Sequence, residues 1–462
     1  MSLLGKKDTS GLNIIIVGCG KVGSTLVSQL IKEGHDLTVI DTNASKIQEL
    51  TNLYDVMGLN GNGASYTVLQ EAGIETADLL IAVTGSDELN MLCCAVAGRG
   101  GCATIARVRT PDYTQEVGYL QEKLGLAMII NPELEAATEA ARILGMPSAL
   151  EIDSFAHGQA ELVKVKIEDT NALAGKTLSE LDRNHTESIL ICGVERDGDV
   201  IIPSGNFKLE AGDKISILGT HRSVRRFMGY IGMRAHAVKN TMIIGGGKAT
   251  YYLATQLINM GIEVKIIERD RNRCEELSIL LPKAIIINGD GSDEDILKEE
   301  GIESCDSFVP LTGIDEENIM LTLHARQLSN TKVITKINRI NFSHVINNLD
   351  LGSVIYPKYI TAEEIIAYVR AKKNSIGSSN IETLYHLFDH NAEAIEFKIW
   401  EDNNATNLPL MDLKIKKNML VSCINRGGRI IIPRGTDMIK KGDTVVVITT
   451  ETGIKDITDI LA

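Results

Sequence analysis

Three glycines follow a short apolar stretch near the start of the chain, in a spacing that suits binding of a diphosphate. Ile14–Val17 contains three isoleucines and a valine, and Gly18, Gly20 and Gly23 follow it directly. Such a run favours a buried strand of a parallel sheet. In G-x-G-x-x-G the first glycine permits a tight turn, the second lets backbone approach a diphosphate, and the third allows helix and strand to pack closely. The pattern predicts a nucleotide site at this turn.

An acid after the next apolar run suits the ribose of the same ligand. Asp41 ends the run Leu37–Ile40, where a carboxylate accepts a hydrogen bond from a 2′-hydroxyl and repels a 2′-phosphate. This favours NAD or ATP over NADP; the alternative is that the acid caps the following helix. Lys21 either adds charge near the phosphates or points to solvent. The predicted contacts in the turn are Gly18, Cys19, Gly20, Lys21 and Val22.

Length and composition indicate a soluble protein of several domains. A chain of 462 residues is too long for one ordinary core, so about two to four domains are expected. No apolar run reaches the roughly 18 residues of a membrane-spanning helix, and the N-terminus lacks a signal-peptide pattern, which predicts a cytosolic protein. The net charge of −14 argues against nucleic acid as the main partner. The eight cysteines form no C-x-x-C pair and are expected to be buried thiols.

The chain carries the same pattern twice. MIIGGGKAT from Met242 matches IIVGCGKVG from Ile15, which aligns Gly245 with Gly18 and Glu268 with Asp41. NGDG at 288–291 then matches NGNG at 60–63, and PLTGIDEEN at 310–318 matches AVTGSDELN at 82–90. The repeat predicts a second nucleotide site, formed by Gly245, Gly246, Gly247, Lys248, Glu268, Asp290, Gly291 and Thr312.

Each half combines a part in which strands and helices alternate with a shorter β-rich part. Apolar runs at 13–17, 37–40, 79–83, 104–109 and 127–130, with a further candidate at 55–59, predict a doubly wound parallel sheet. The predicted fold class is α/β: two Rossmann-like lobes, each followed by a small α+β lobe, called here a β lobe. The predicted bounds are 1–12 for a flexible extension, 13–148 for the first Rossmann lobe, 149–222 for the first β lobe, 223–239 for a linker, 240–372 for the second Rossmann lobe and 373–462 for the second β lobe.

These motifs, in this order, resemble those of double-RCK proteins of the TrkA type, the nucleotide-binding subunits of Trk potassium-uptake systems. The resemblance spans about 13–462 and rests on the paired glycine turns, the two acids, TGSDELN and TGIDEEN, IARVRTPDY at 105–113, and the β lobes. It implies binding of NAD(H) or of ATP and ADP. It also implies a homo-oligomer, a tetramer forming a ring of eight RCK domains, located in the cytoplasm as a peripheral protein on the inner face of the membrane, with a Trk-type potassium channel or transporter as partner.

The resemblance adds residues to the first site. It places the adenine end of the nucleotide beside Asn62 and Gly63, which also suit an ordinary turn. It lines the ligand with Thr84 and Gly85, where the residues themselves indicate a helix N-terminus with its cap. It sets Arg107 at the phosphates, a role that suits a guanidinium fork, while the alternative is a surface ion pair. Arg109 is a weaker candidate for that role.

Two differences separate the copies. Thr250 replaces the third glycine of the turn, and its side chain should push helix and strand apart or tighten the pocket. Lys336 stands where the first half has Arg107. We therefore predict that the two sites are not equivalent, and that the N-terminal site lies closer to the usual pattern.

Two classes of function compete. The first is a regulator without enzymatic activity that gates potassium uptake by exchanging nucleotides; another membrane client is possible for such a regulator. The second is an NAD-dependent oxidoreductase with a duplicated cofactor domain. The β lobes are short and show no convergent acid–base set, and the chain lacks H-E-x-x-H and G-x-S-x-G motifs. The regulator is therefore the favoured hypothesis, with no catalytic residue and no metal site expected.

Overall fold

The order of helices and strands repeats along the chain, as the duplicated motifs predict. The computed structural model describes residues 11–98, 101–146, 148–155, 159–181, 188–233, 238–338, 346, 349–376, 381–387, 391–451, 454 and 456–462. Residues 1–10 of the expected N-terminal extension, and 234–237 of the expected linker, lie outside the described residues.

The first Rossmann lobe is built around strand β1, whose apolar residues Ile14–Val17 are all buried. β1 pairs in parallel with β2 and β4, and the sheet order is β3-β2-β1-β4-β5-β6. The order reverses beside β1, so the carboxyl ends of β1 and β4 border the crevice where such sheets bind ligands. The strands are β1 (Asn13–Val17), β2 (Asp36–Asp41), β3 (Met57–Asn60), β4 (Leu79–Ala82), β5 (Ala103–Arg107) and β6 (Met128–Ile130). The helices are α1 (Lys21–Leu30), α2 (Ala44–Leu53), α3 (Tyr66–Glu71), α4 (Asp87–Ala97), α5 (Pro111–Gln115), α6 (Val117–Leu124) and α7 (Pro132–Gly145).

The second Rossmann lobe repeats this plan around strand β12. Its sheet order is β14-β13-β12-β15-β16-β17, which is the order of the first sheet position by position. The strands are β12 (Asn240–Ile244), β13 (Glu263–Glu268), β14 (Ile285–Asn288), β15 (Ser307–Pro310), β16 (Lys332–Lys336) and β17 (Ser353–Ile355). The helices are α9 (Lys248–Asn259), α10 (Arg271–Leu280), α11 (Glu294–Glu299), α12 (Asp315–Leu328) and α13 (Pro357–Ile376). Both doubly wound sheets confirm the predicted fold class.

Each β lobe is a five-stranded antiparallel sheet. The orders are β10-β9-β11-β8-β7 and β18-β19-β22-β20-β21. The strands of the first are β7 (Glu151–Phe155), β8 (Ala160–Lys166), β9 (Ile189–Arg196), β10 (Asp199–Ile201) and β11 (Lys214–Gly219). Those of the second are β18 (Ile381–Leu387), β19 (Ala392–Lys398), β20 (Met419–Arg426), β21 (Arg429–Ile431) and β22 (Thr444–Thr449). The two β lobes share one apolar cluster, which includes Phe155 and Leu218 of the first and Cys423 and Ile448 of the second.

Helix α8 (His221–Tyr230) belongs to the first β lobe. It begins two residues before the segment 223–239 that we expected to be a linker, and its Val224, Phe227 and Met228 are buried in the apolar core of that lobe. The part of the segment that forms this helix is therefore a packed element.

Contacts divide the chain into two units. One combines the described residues of Met1–Ala141 with Lys239–Ile366 and so contains both Rossmann sheets. The other combines those of Arg142–Val238 with Ala367–Ala462 and contains both antiparallel sheets. The two predicted nucleotide sites thus lie within the same unit.

An ion pair with a buried carboxylate repeats in the two β lobes. Asp213 and Asp443, which are about 1% exposed, each receive two hydrogen bonds from one arginine. The arginines are Arg196 and Arg426, at distances of 2.7 and 2.8 Å in the first lobe and 2.8 Å in the second. Both acids also accept a backbone N–H within their turn. Since they are paired with arginines, they are structural.

Candidate nucleotide-binding sites

The first glycine turn, Gly18–Gly23, joins β1 to α1, and at Gly18 and Gly23 it packs too closely against other backbone to admit a side chain. Gly18 has a φ of +105°, a region that favours glycine. A β-carbon added at Gly23 would lie 1.9 Å from the carbonyl oxygen of Gly18, so only glycine lets the helix approach this closely. Gly20 is the N-cap of α1 and makes no side-chain cap. The first backbone N–H groups of α1 are therefore in the arrangement that binds anions.

Two glycines of the first site have no structural requirement of their own. Gly20 has an ordinary φ of −77°, and a β-carbon added there would have no atom of the protein within 4 Å. A β-carbon at Gly85 would likewise have no neighbour within 4 Å. Glycine at such positions leaves space over the backbone, and a diphosphate that contacts the backbone needs this space. The turn therefore fits a nucleotide.

Asp41 lies against the glycine turn. Its Oδ2 accepts a hydrogen bond from the backbone N–H of Cys19 at 2.7 Å, and its Oδ1 accepts one from Asn43 N–H at 2.8 Å. The side chain of Asn43, rather than that of Asp41, caps helix α2. Asp41 is therefore not the side chain that caps α2, and its contact with a ribose stays a prediction. Burial and the nearby Asp41 carboxylate raise the pKa of the Cys19 thiol to about 12, which keeps it uncharged.

Asn62 and Gly63 have clear structural roles in the loop after β3. Asn62 Oδ1 accepts a hydrogen bond from Ala64 N–H at 3.0 Å, as in an ordinary Asx turn. A β-carbon at Gly63 would lie 2.2 Å from Cγ1 of Val17, so glycine lets this loop pack on β1. The contacts of these two residues support the turn reading, and their contact with adenine stays a prediction.

Asn90 organises the carboxyl ends of β4 and β5, and it was not among the predicted site residues. Its side chain is fully buried, and its Oδ1 accepts hydrogen bonds from the Thr84 backbone N–H at 2.8 Å and the Thr84 hydroxyl at 2.7 Å. Its Nδ2 donates to the Arg107 carbonyl oxygen at 2.8 Å. One amide therefore fixes both Thr84 and Arg107. The motif TGSDELN contained the signal, because it ends on this residue in both halves.

Arg107 brings a partly buried positive charge to this end of the sheet. Its Nη2 donates to the carbonyl oxygen of Thr84. Its Nε is buried and, in the described part of the chain, has no hydrogen-bond partner. Burial, and then the neighbouring Arg109, lower the pKa of the guanidinium, which nonetheless stays protonated. A buried donor without a partner costs free energy unless an acceptor arrives, and a phosphate oxygen is such an acceptor.

Asp87 holds the loop after β5 in place. Its Oδ2 accepts hydrogen bonds from the backbone N–H of Arg109 at 2.9 Å and from the N–H and hydroxyl of Thr110 at 2.8 and 2.7 Å. Burial alone would raise the pKa of Asp87, but these hydrogen bonds outweigh burial and the pKa is lowered. Arg109 uses its Nη2 to donate to the carbonyl oxygen of Gly85 at 2.7 Å. Its contacts are thus with protein groups around the site.

The second site reproduces the outline of the first. Gly245 has a φ of +94°, and Gly247 begins helix α9 without a side-chain cap and without a β-carbon neighbour within 4 Å. Glu268 Oε2 accepts a hydrogen bond from Gly246 N–H at 2.5 Å, as Asp41 does from Cys19. Thr312 is held by Asn318, which also donates to the Lys336 carbonyl oxygen at 3.0 Å. Asp290 accepts from Ser292 in a turn, and Gly291 lies against Ile244.

Thr250 is accommodated at the position of the third glycine. Its hydroxyl donates to the carbonyl oxygen of Gly245 at 2.6 Å, and its side chain is fully buried. A β-carbon at Gly23 would lie 1.9 Å from the carbonyl oxygen of Gly18, whereas Thr250 carries a β-carbon at the matching position, so the helix must lie farther from the turn in the second lobe. This agrees with the expectation that threonine separates helix and strand slightly.

Lys336 and Lys248 differ from their counterparts in the first site. Lys336 Nζ donates to Leu311 O at 2.9 Å, and burial lowers the pKa of this lysine to about 8. Lys248 reaches into the first Rossmann lobe, where its Nζ donates to the Thr110 hydroxyl at 3.0 Å and lies 3.9 Å from Asp87 Oδ2. Lys21, the equivalent residue of α1, is exposed. These differences support the prediction of two inequivalent sites.

Other classes of site receive no support from the described residues. Among them, no group of three or more His, Cys, Asp and Glu side chains is arranged to hold a metal ion. All eight cysteines lie among the described residues and none of them forms a disulfide; seven are buried, as expected of buried thiols. Within the described ranges, no helix combines the length and the apolar character needed to cross a bilayer.

Family models match most of the chain, in the order that the fold repeats. The TrkA-N domain matches residues 14–132 and 241–357, and the TrkA-C domain matches 162–232 and 394–462. The chain belongs to the TrkA family.

Curated members of the TrkA family are similar over nearly their whole length. The Trk system potassium uptake protein TrkA of Haemophilus influenzae is 34% identical over 445 residues, covering 94% of this chain and 95% of that one. TrkA homolog 1 of Methanosarcina mazei is 31% identical, covering 94% of this chain and 97% of that one. TrkA of Halomonas elongata is also 31% identical, with 94% and 95% covered.

Solved structures share the double-RCK fold of this TrkA-family chain. The GsuK channel superposes with a TM-score of 0.64 at 19% identity, covering 97% of this chain and 78% of that one. The GsuK RCK domain gives a TM-score of 0.63 at 19% identity, covering 97% of this chain and 94% of that one. The GsuK channel bound to NAD gives 0.62 at 19% identity, covering 97% and 78%. At this identity the likeness establishes the fold.

Proposed function

We propose that this TrkA-family chain is a regulatory subunit that controls potassium uptake through a Trk-type membrane channel or transporter. The signal would be the nucleotide held in its Rossmann lobes, NAD(H) or ATP and ADP. The observation that carries the proposal is the open backbone at Gly20 and at Gly247. At neither glycine would an added β-carbon meet a protein atom. In each turn an acid accepts a hydrogen bond from the backbone: Asp41 from Cys19 N–H, and Glu268 from Gly246 N–H.

The residues present fit a nucleotide at each lobe. The backbone of Gly18–Val22 would hold the phosphates, Asp41 would accept from a ribose hydroxyl, and Arg107 would donate its unpartnered Nε to a phosphate oxygen. In the second lobe the corresponding groups are the backbone of Gly245–Ala249, Glu268 and Lys336. A bound nucleotide supplies charge and hydrogen-bonding groups at these positions and undergoes no reaction there.

Regulation would follow from different affinities of two nucleotides for two arrangements of the lobes. A ligand shifts such an equilibrium only by the difference between its affinities for the two states. The glycine turns are suited to this role because each begins a helix, and helix α9 contacts the other Rossmann lobe through Lys248. A change at the second turn therefore reaches residues that border the first site.

The partner follows from family membership. Curated members carry the name Trk system potassium uptake protein, and a GsuK channel with RCK domains shares the fold. We propose a Trk-type potassium channel or transporter as partner, a tetramer that forms a ring of eight RCK domains, and a peripheral location on the cytoplasmic face of the membrane. The proposed bounds of the lobes are those predicted from the sequence, except that helix α8 (His221–Tyr230) is counted with the first β lobe.

The competing hypothesis is an NAD-dependent oxidoreductase. Around the two glycine turns, the charged side chains described here hold protein groups: Asp87 binds backbone N–H groups, and Arg109 binds the Gly85 carbonyl oxygen. These contacts fix the structure and supply no acid–base pair aimed at a substrate. We therefore favour a regulator without enzymatic activity.

Titration calorimetry of the purified full chain tests the proposal. ATP, ADP, NAD and NADH are each titrated, and we expect saturable binding of at least one of them in the micromolar to millimolar range. NADH consumption with small oxo-substrates is followed in parallel. Binding without consumption supports the regulator. Failure of all four nucleotides to bind contradicts the proposal, and steady NADH turnover would revive the oxidoreductase.

A further inference from the structure

Helix α9, which begins at the second glycine turn, contacts the first Rossmann lobe with one of its sides. Lys248, Tyr252 and Gln256 are spaced four residues apart and so share this side. Lys248 Nζ donates to Thr110 Oγ1 at 3.0 Å, and Gln256 Nε2 donates to Thr138 Oγ1 at 3.1 Å. The helix that starts at one predicted site therefore lies on the lobe that contains the other.

Of these three residues, Tyr252 makes the most hydrogen bonds to the first lobe. Its side chain is nearly buried, and its hydroxyl donates to the carbonyl oxygen of Arg109 at 2.9 Å. The same hydroxyl accepts a hydrogen bond from Asn131 Nδ2 at 3.1 Å and lies 2.8 Å from Thr114 Oγ1. Asn131 also accepts from Leu134 N–H with its Oδ1, in the first turn of helix α7. One hydroxyl thus joins α9 to two segments of the first lobe.

Arg109 connects this contact to the first site. Its carbonyl oxygen accepts from Tyr252, while its side chain donates to Gly85 O at 2.7 Å and its N–H donates to Asp87. Gly85 is one of the two open glycines of the first site. A displacement of α9 at Tyr252 would therefore move the residue that holds the backbone of Gly85.

At the matching position of the first lobe, the hydroxyl bonds within its own helix. Thr25 of helix α1 aligns with Tyr252, and its hydroxyl donates to Lys21 O, within its own helix, at 2.9 Å. The tyrosine ring is what lets the hydroxyl reach the other lobe. Thr25 is therefore a matched control for Tyr252, because it is buried and polar and its hydroxyl bonds within its own lobe.

We propose that Tyr252 is the positioning residue that couples the two nucleotide sites of the chain, by transmitting the position of α9 to Arg109 and Gly85. This inference rests on the proposed function, since it requires that both lobes bind nucleotide. Coupling between two binding sites is reciprocal, so each site changes the affinity of the other by the same factor.

The experiment measures that factor in the full chain. The first-site affinity is taken from the Gly247→Asp variant and the second-site affinity from Gly20→Asp, with ATP, ADP, NAD and NADH each used as probe. The coupling factor is the product of the two stepwise association constants of the unmodified chain, divided by the product of these two single-site constants. We expect it to differ from one by about fivefold or more for at least one nucleotide.

Tyr252→Phe keeps the ring and removes the hydroxyl. We expect it to bring the coupling factor to within about twofold of one while it leaves the single-site affinities nearly unchanged. Thr114→Val, which removes one partner of the hydroxyl, should reduce the factor in part. Thr25→Val is the matched control and should leave the factor as it was.

The outcomes separate the two proposals. A coupling factor that Tyr252→Phe leaves unchanged, or a factor of one in the unmodified chain, overturns the role of Tyr252 while nucleotide binding stands. Absence of binding by the unmodified chain overturns the proposed function and the coupling with it. A loss of coupling in Thr25→Val as large as that in Tyr252→Phe would also contradict the assignment, because it would indicate a general effect of repacking.

Discussion

Gly23 lies so close to the carbonyl oxygen of Gly18 that an added β-carbon would be 1.9 Å from it. In the second copy of the same turn, Thr250 occupies this position and donates its hydroxyl to the carbonyl oxygen of Gly245 at 2.6 Å. The two turns have the same backbone role but differ in how closely helix and strand approach. The inequivalence predicted for the two nucleotide sites therefore has a steric basis in the fold.

Replacing Gly23 by alanine should destabilise the first Rossmann lobe. The new methyl group would meet backbone, which cannot move aside as a side chain does, and we expect a loss of about 1–3 kcal/mol. Urea unfolding of the full chain measures the change. Gly118→Ala, at an exposed glycine of helix α6 with open space around it, is the control and should be neutral or slightly stabilising. Equal stability of the two variants would contradict the close contact.

Gly20→Asp should weaken nucleotide binding at the first site without destabilising the chain. The added side chain meets no protein atom, yet it places negative charge where the phosphates are proposed to lie. We expect the dissociation constant of the first site to rise at least about tenfold, equivalent to about 1.4 kcal/mol. Calorimetry is carried out in the Gly247→Asp background, in which the second site is blocked, so that it measures binding at the first site alone. Gly118→Asp adds the same charge on the exposed side of helix α6, outside the turn, and an effect as large as that of Gly20→Asp would refute the placement.

Asp87 should contribute stability that depends on its negative charge. Its pKa is lowered in the folded chain, so the contribution is present at neutral pH and is lost as pH falls below about 4 through the folded value. Asp87→Asn should cost about 1–3 kcal/mol at pH 7. Relative to the unmodified chain, this deficit should shrink in strong acid. Unfolding at pH 7 and pH 3 measures it, with the exposed Asp112→Asn as control, and a deficit that is the same at both pH values would argue against the ionic role.

Lys336 should make the second site sensitive to alkaline pH. Its pKa is about 8, so above pH 8 it is largely neutral, and binding of an anionic phosphate must restore its proton. Affinity at the second site, measured in Gly20→Asp, should fall about 10- to 30-fold between pH 7 and 9.5. Affinity at the first site, measured in Gly247→Asp, should change little because Arg107 stays protonated. Lys336→Arg should flatten the second profile; parallel profiles in the two single-site chains would exclude Lys336 from the phosphates.

Local patterns were sufficient to predict the framework of the molecule. The apolar run Ile14–Val17 is the central strand, and the glycines after it begin helix α1, because both properties depend on neighbours within a few residues. The duplication predicted a second Rossmann-like lobe, and its sheet has the strand order of the first. The double-RCK resemblance is confirmed by family membership.

Contacts between segments that are distant in the chain could not be predicted from the sequence. Asn90 joins Thr84 to Arg107 only because β4 and β5 are neighbours in the sheet, although its recurrence as Asn318 was a visible signal. Arg196 meets Asp213 across a β lobe for the same kind of reason. The contacts of the Tyr252 hydroxyl depend on how the two Rossmann lobes pack, and no local sequence pattern encodes this packing. These are the places where tertiary packing decides the role of a residue.

The most direct test of the regulatory account is the affinity of this chain for its Trk-type membrane subunit, purified from the same source, measured with each nucleotide in turn. If the chain is a nucleotide sensor, two nucleotides should change that affinity to different extents, by about fivefold or more, and the difference should vanish in the Gly20→Asp, Gly247→Asp double variant. An affinity that is the same with ATP, ADP, NAD, NADH and no nucleotide would contradict the account.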